Sequence, residues 1–182
     1  MRPTWVVVGG TFDPIHVGHI HIARAAVSVL GADRAVLAVG DAHPHREPTV
    51  LDRDERIALV RAAIEGDASL VEAGQVGVED ASLVSAVRRL ARRGRLHVVF
   101  GADSAARLVN WGGLAELSRY AMVWAVPRSG TAPCQVPVPM LPVESLDVSA
   151  SAIRRGADHD CIPRSIRATT TAALARNVEL TS

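Results

Sequence analysis

Residues 5–19 read Trp5-Val6-Val7-Val8-Gly9-Gly10-Thr11-Phe12-Asp13-Pro14-Ile15-His16-Val17-Gly18-His19. The opening residues are apolar, mostly β-branched, and closed by two glycines, which is the pattern of a buried strand. Paired glycines let the backbone turn tightly and approach a ligand without a Cβ in the way. Asp13-Pro14 is a turn signal, and the aspartate can accept from nearby backbone N–H groups. A helix is expected from about Gly18 to Leu30, with Gly31 as its C-terminal stop. His16 and His19 therefore bracket Gly18 where a helix begins. A helix N-terminus offers N–H groups and partial positive charge to an anion. Two imidazoles there can donate to an anion whose charge grows during a reaction. Two other readings stand beside this one. His16, His19 and His21 could ligate a metal, although helical ligand pairs normally sit at i and i+4 and no H-E-x-x-H is present. The stretch could also be a glycine-rich turn with incidental histidines.

Outward from this turn, apolar runs alternate with amphipathic ones. Strands are expected at Arg34 to Val39, Gln75 to Val78, Leu96 to Phe100 and Tyr120 to Val126. Asp52 and Glu55 have capping-box spacing and open a helix through Ile64. Further helices are expected at Ser82 to Arg92, Ser151 to Arg155 and Pro163 to Arg176, with a proline-rich connection from Thr131 to Pro142. Strand–helix alternation with near-continuous apolar strands predicts an α/β fold: a Rossmann-like, doubly wound, mostly parallel sheet with helices on both faces. Residues 1–182 are expected to form one domain, with 145–182 as a C-terminal helical part. Ligands of such sheets bind beyond the carboxyl ends of the strands, near the reversal in strand order.

Composition narrows the chemistry. Charge is nearly balanced, at a formal +1, so no global field draws the chain toward nucleic acid or an acidic membrane. All twenty basic side chains are arginine, which excludes a Walker A lysine, a Schiff-base lysine and a Ser-Lys dyad. Any phosphate chemistry must rest on backbone N–H groups, histidine, hydroxyls and arginine. The two cysteines, Cys134 and Cys161, have no CxxC partner, so neither a metal knuckle nor a disulfide framework is read. No apolar run approaches the length of a membrane span, and cytoplasmic localisation is the expectation. The cluster Arg88, Arg89, Arg92, Arg93 and Arg95 lacks interleaved aromatics and reads as a solvated helix face.

The run from Gly9 to His19 resembles the signature of the H-x-G-H nucleotidyltransferase superfamily. Within it, the run is similar to that of bacterial nicotinate-nucleotide adenylyltransferases. Later segments resemble the same family. His43-Pro44-His45-Arg46 looks like its Pro-His-Lys loop with arginine in place of lysine, and Phe100-Gly101-Ala102-Asp103 like its Gly-Ala-Asp element. Val126-Pro127-Arg128-Ser129-Gly130 resembles the segment after the next strand. Val148-Ser149-Ala150-Ser151-Ala152-Ile153-Arg154 looks like Ile-Ser-Ser-Thr-x-Ile-Arg. The family's Ser-Tyr-Thr segment is replaced here around Ala81 to Ala86.

The resemblance implies transfer of AMP from ATP to nicotinate mononucleotide with release of pyrophosphate. It makes His16, His19 and Arg154 catalytic. It assigns ATP to Gly9, Gly10, Thr11, Phe12, His16, Gly18, His19, Arg46, Gly101, Asp103, Ser149, Ser151 and Arg154. The acceptor falls to Asp13, His45, Trp111 and Arg128. Mg2+ is expected to be bound through phosphates with no protein ligand. The implied partners are small-molecule substrates, without nucleic acid or membrane, and with a homo-oligomer left open. Two alternatives remain at this level. One is a nucleotidyltransferase of the same fold using CTP or another acceptor, such as a phosphonate or sugar-phosphate cytidylyltransferase. The other is a catalytically silent nucleotide-binding module.

Overall fold

A computed structural model describes residues 2–40, 48–78, 82–102, 104, 113–127 and 137–179. Five strands form one sheet: β1 (Thr4–Gly10), β2 (Arg34–Val39), β3 (Leu70–Glu72), β4 (Arg95–Gly101) and β5 (Met122–Val126). Their order is β3-β2-β1-β4-β5, and every pairing is parallel. The chain moves outward from β1 through β2 to β3, then returns to the other side of β1 for β4. Strand order therefore reverses between β1 and β4, where Val8 pairs with Val99. Connections leaving the two carboxyl ends diverge there and open a crevice.

Side chains alternate between the faces because the strand period is two. Val6, Val8, Leu37 and Val99 join one cluster with α1 (Val17–Leu30), α2 (Arg53–Ala63) and the C-terminal residues Ile153, Ile162, Ile166 and Leu174. Val7, Val36, Val98 and Phe100 face the other way, onto Ala86, Val87 and Leu90 of α3 (Leu83–Ala91) and Leu117 of α4 (Gly113–Leu117). Val6 and Val7 are wholly buried on opposite faces, each contributing about 1.5–3 kcal/mol. The expected α/β, doubly wound sheet is present, and it is entirely parallel. Residues beyond 140 reach the first face through α5 (Ala150–Arg154) and α6 (Arg167–Glu179).

Local signals behave as their chemistry dictates. Gly31 caps α1 in the left-handed region at φ 58°, where a Cβ would be disfavoured. The Asp52 carboxylate accepts from the Glu55 N–H at 2.8 Å, and Glu55 accepts in return from the Asp52 N–H at 3.1 Å. One strand was misplaced by the sequence. Residues Ala73–Val76 form a 3-10 turn, and the strand precedes them as the three residues Leu70–Glu72. Glu72 ends that strand with a buried carboxylate, held by the Arg61 Nε at 2.9 Å and the Gly74 N–H at 3.0 Å. A charged residue in a short edge strand hides the apolar period, and Gly77 at φ 69° stops any strand at Val78. The fifth strand starts at Met122, after a turn at Tyr120. The last helix begins as a 3-10 turn, Arg164–Ile166, before α6.

Candidate active site

A cleft of about 600 Å³ opens at the carboxyl ends of β1 and β4. Its floor is Val8, Gly9 and Gly10 from β1 with Val99, Phe100 and Gly101 from β4. Among the described residues other than its chain neighbours, a Cβ built on Gly101 would meet no atom within 4 Å, and Gly101 lines the cleft. Gly9 and Gly10 are tighter. A Cβ there would come within 2.8 Å of the Leu83 side chain and 3.0 Å of the Phe12 ring, respectively.

α1 points its N-terminus at this space, with His16 as N-cap and no acidic residue in its first turn. The rings of His16 and His19 stack with centroids 3.7 Å apart and planes at 24°. The His16 backbone N–H donates to Nδ1 of His19 at 3.3 Å. That bond requires a lone pair on Nδ1, which places the proton of a neutral His19 ring on Nε2. Burial, and then the neighbouring His16 ring, hold the His19 pKa well below the usual imidazole range. Protein packs around most of this ring while one edge stays at the cleft surface. The result is a neutral donor with its tautomer fixed by the main chain. Phe12 backs it edge-on, at 4.9 Å and 82°. The Phe12 side chain is itself buried, so only its backbone can meet a ligand.

Gly18 is required between the two histidines. A Cβ on it would lie 2.7 Å from Cγ1 of Val148 and 3.1 Å from two atoms of the His16 ring. The glycine thus marks where the first motif touches the start of the second. α5 follows directly. Ser149 caps it by accepting from the Ala152 N–H at 3.1 Å, so its hydroxyl is engaged within the turn. Ser151 is exposed and accepts from Nη2 of Arg154 at 3.3 Å.

Arg154 crosses back to the first motif. Its Nη1 donates to the Asp13 carbonyl at 2.6 Å and lies 3.5 Å from the Asp13 carboxylate. Its side chain remains one-fifth exposed toward the cleft. The structure thus brings together His16, His19, Gly18, Thr11, Ser151 and Arg154 on one cleft wall. Arg46, His45, Asp103, Trp111 and Arg128 lie outside the described residues.

Asp13, expected at the acceptor, has interior partners. Its two carboxylate oxygens accept from the N–H groups of Val50, at 3.0 Å, and Leu51, at 2.9 Å. It therefore ties the β1 turn to the segment leading into α2. Arg56 makes the reciprocal tie. This buried guanidinium donates from Nη1 to the carbonyls of Thr11, at 2.7 Å, and Gly40, at 2.8 Å. Its Nε reaches the carbonyls of Leu51 and Asp52, each at 3.2 Å. The sequence alone leaves Arg56 open between a place in the family's arrangement after the His43–Arg46 loop and that of a surface or packing arginine. The available signal was its place on the helix stripe shared with buried Leu59 and Val60. His21 donates from Nε2 to the Glu144 carbonyl at 2.8 Å, which takes that nitrogen away from any shared metal. Among the described residues, no group of three or more His, Cys, Asp or Glu side chains could hold a metal ion.

The model of the family described as cytidylyltransferase-like matches residues 7–156. A protein of Thermus thermophilus named "Probable nicotinate-nucleotide adenylyltransferase" is 32% identical over 154 residues, covering 81% of this chain and 82% of that one. A protein of the same name from Exiguobacterium sibiricum is 30% identical over 174 residues, covering 88% and 92%. Among solved structures, the Plasmodium falciparum nicotinic acid mononucleotide adenylyltransferase complexed with NaAD superposes with a TM-score of 0.63. The match has 13% identity and covers 85% of this chain and 83% of that one. At that identity the match speaks for the fold.

Proposed function

From the premise that this chain belongs to the cytidylyltransferase-like family and is a nucleotidyltransferase, we propose that it transfers AMP from ATP to nicotinate mononucleotide. The acceptor's phosphate oxygen attacks the α-phosphorus of ATP, the bond from that phosphorus to the bridging αβ oxygen breaks, and pyrophosphate leaves with the bonding pair. No covalent nucleophile is needed. The protein's contribution is positioning and stabilisation of charge, which dominate phosphoryl-type transfers.

The observation that carries this reading is the meeting of two motifs remote in sequence. Arg154 is hydrogen-bonded to the main chain of Asp13, 141 residues away, so the histidine pair and the serine–arginine pair share one cleft. In the reaction, His19 donates from Nε2 to the α-phosphate as its negative charge grows, and His16 assists from the stacked position. Thr11, Ser151 and Arg154 hold the outgoing phosphates, with Arg46 assigned to the same task. Gly101 and Asp103 take the nucleoside, and His45, Trp111 and Arg128 take the acceptor.

Magnesium enters with the nucleotide. The one carboxylate among the described cleft residues is that of Asp13, which is committed to two backbone N–H groups and Arg154. The described residues offer the ion no cage and fit a cation carried on triphosphate oxygens and water. The reading places the enzyme in the cytoplasm.

The test is pyrophosphate release across a panel of triphosphates and phosphorylated acceptors. ATP with nicotinate mononucleotide should give the highest kcat/KM. Preference for CTP, or for an acceptor without a pyridine ring, would redirect the reading within the fold. Nucleotide binding without turnover across the panel would remove it.

A further inference from the structure

Phe12 sits in the left-handed region at φ 50°, a conformation uncommon for a bulky residue and held only where the surroundings over-determine it. The surroundings here are two arginines. Arg56 binds the carbonyl of Thr11, immediately before Phe12, and Arg154 binds the carbonyl of Asp13, immediately after it. The Thr11–Phe12 peptide is trans, since the Asp13-Pro14 bond is the single cis bond among the described residues. In a trans peptide the C=O and the following N–H point in opposite directions. Arg56 pulls the Thr11 carbonyl toward the interior, so the Phe12 N–H is turned outward. Among the described residues no protein acceptor meets that N–H, and Thr11 and Phe12 both line the cleft.

We propose that Arg56 is a positioning residue for phosphate binding: it fixes the Thr11–Phe12 peptide so that the Phe12 N–H faces a phosphate oxygen of a bound substrate. The inference rests on the reading of this cleft as a nucleotidyl-transfer site. It goes beyond that reading by assigning a function to a buried residue that touches no substrate. A guanidinium suits the task because its planar fork reaches several carbonyls at once. Here it joins Thr11, Gly40, Leu51 and Asp52. The turn, the end of β2 and the start of α2 are thereby set in one frame.

The test compares the parent with Arg56→Met and Arg56→Lys. KM is measured separately for ATP and for the acceptor, alongside thermal melting. Loss of one hydrogen bond to a charged oxygen should raise KM for the substrate whose phosphate meets Phe12 by about tenfold. kcat per folded molecule should stay within about twofold, the pattern of lost uniform binding. Arg56→Lys should recover part of that loss. A folded Arg56→Met protein with a lower Tm but parental KM for both substrates would make Arg56 merely structural and overturn the proposal. A second measurement covers variants that do not fold and a parent that does not turn over. The Phe12 backbone amide resonance of the parent is followed during titration with magnesium tripolyphosphate and, separately, nicotinate mononucleotide. A downfield shift with either upholds the orientation and says which phosphate is met. An unmoved resonance at saturation of both overturns it. Absence of pyrophosphate release from the parent would count against AMP transfer while leaving the same titration, repeated on Arg56→Lys, to decide the role of Arg56: an undiminished shift in that variant would overturn it.

Discussion

Replacing Gly18 by alanine tests the join between the two motifs with one carbon atom. The new Cβ would lie 2.7 Å from Val148 Cγ1 and 3.1 Å from the His16 ring. Carbon atoms pack comfortably at about 3.5 Å or more, so the valine methyl must withdraw by about 0.8 Å or the ring must tilt. Val148 leads directly into the turn capped by Ser149, so its displacement is passed to Arg154. Two stability effects oppose each other. Alanine is favoured over glycine in a helix by about 1 kcal/mol, whereas an overpacked contact costs about 1–3 kcal/mol. The net loss should not exceed about 2 kcal/mol, and Tm should fall by no more than about 8 °C. Catalysis is more exposed, since a misplacement near 1 Å can cost about 100-fold. The Gly18→Ala protein should therefore be folded, nearly as stable as the parent, and lower in kcat/KM by about 30- to 100-fold. The matched assay is the double substitution with Val148→Ala, which removes the nearer clash and leaves the one with His16. Partial recovery of kcat/KM is expected. A Gly18→Ala enzyme with parental kcat/KM, or a double variant no better than the single one, would show that the Gly18–Val148 contact does not align the two motifs.

Other consequences can be checked with similar means. His19→Ala should raise the barrier by about 2.7–4 kcal/mol, as for loss of an oxyanion donor, lowering kcat by about 100- to 1,000-fold; a folded variant turning over at the parental rate would remove His19 from the reaction. Asp13→Ala leaves the N–H groups of Val50 and Leu51 without their acceptors. An unsatisfied buried group costs about 1–3 kcal/mol, and of the two only the Leu51 N–H is fully buried, so chemical denaturation should show a loss of about 1–3 kcal/mol, and an unchanged stability would contradict the interior role. His19 and His97 both have depressed folded-state pKa values. Burial is the main cause in each, followed by the His16 ring for His19 and by Arg95 for His97. The unfolded chain then binds more protons than the folded one as pH falls below about 6.5. Stability should be fully present above that pH and decline as pH drops toward the folded-state values. Replacing His97 with glutamine should flatten part of that decline in melts recorded between pH 7 and 5.

The decisive parts of the fold were legible because their chemistry is local. A β-branched run closed by glycines gave β1, Gly31 ended α1, and the Asp52–Glu55 capping box opened α2. The candidate cleft was legible for a different reason: the parallel topology makes its place at the strand reversal a matter of geometry. What the sequence hid depends on contacts between distant segments. Glu72 belongs to β3 because Arg61 and the Gly74 N–H satisfy its charge, and no local pattern announces those partners. Gly18 reads as a space-keeper between histidines, yet its nearest neighbour is Val148, which the chain reaches only through the last part of the fold. Asp13 looks like a ligand contact in a motif and is buried against main-chain donors. Arg56 looks like any helical arginine until three segments close around it.

A direct transfer of AMP within a cleft shared by the two motifs leaves its mark in the stereochemistry at the α-phosphorus. The enzyme is supplied with one diastereomer of an α-thio ATP analogue and with nicotinate mononucleotide. A single in-line displacement predicts a thio-dinucleotide product of inverted configuration, formed together with pyrophosphate. Retention of configuration would demand a covalent enzyme intermediate and so contradict a direct displacement, and absence of the dinucleotide would contradict the transfer itself.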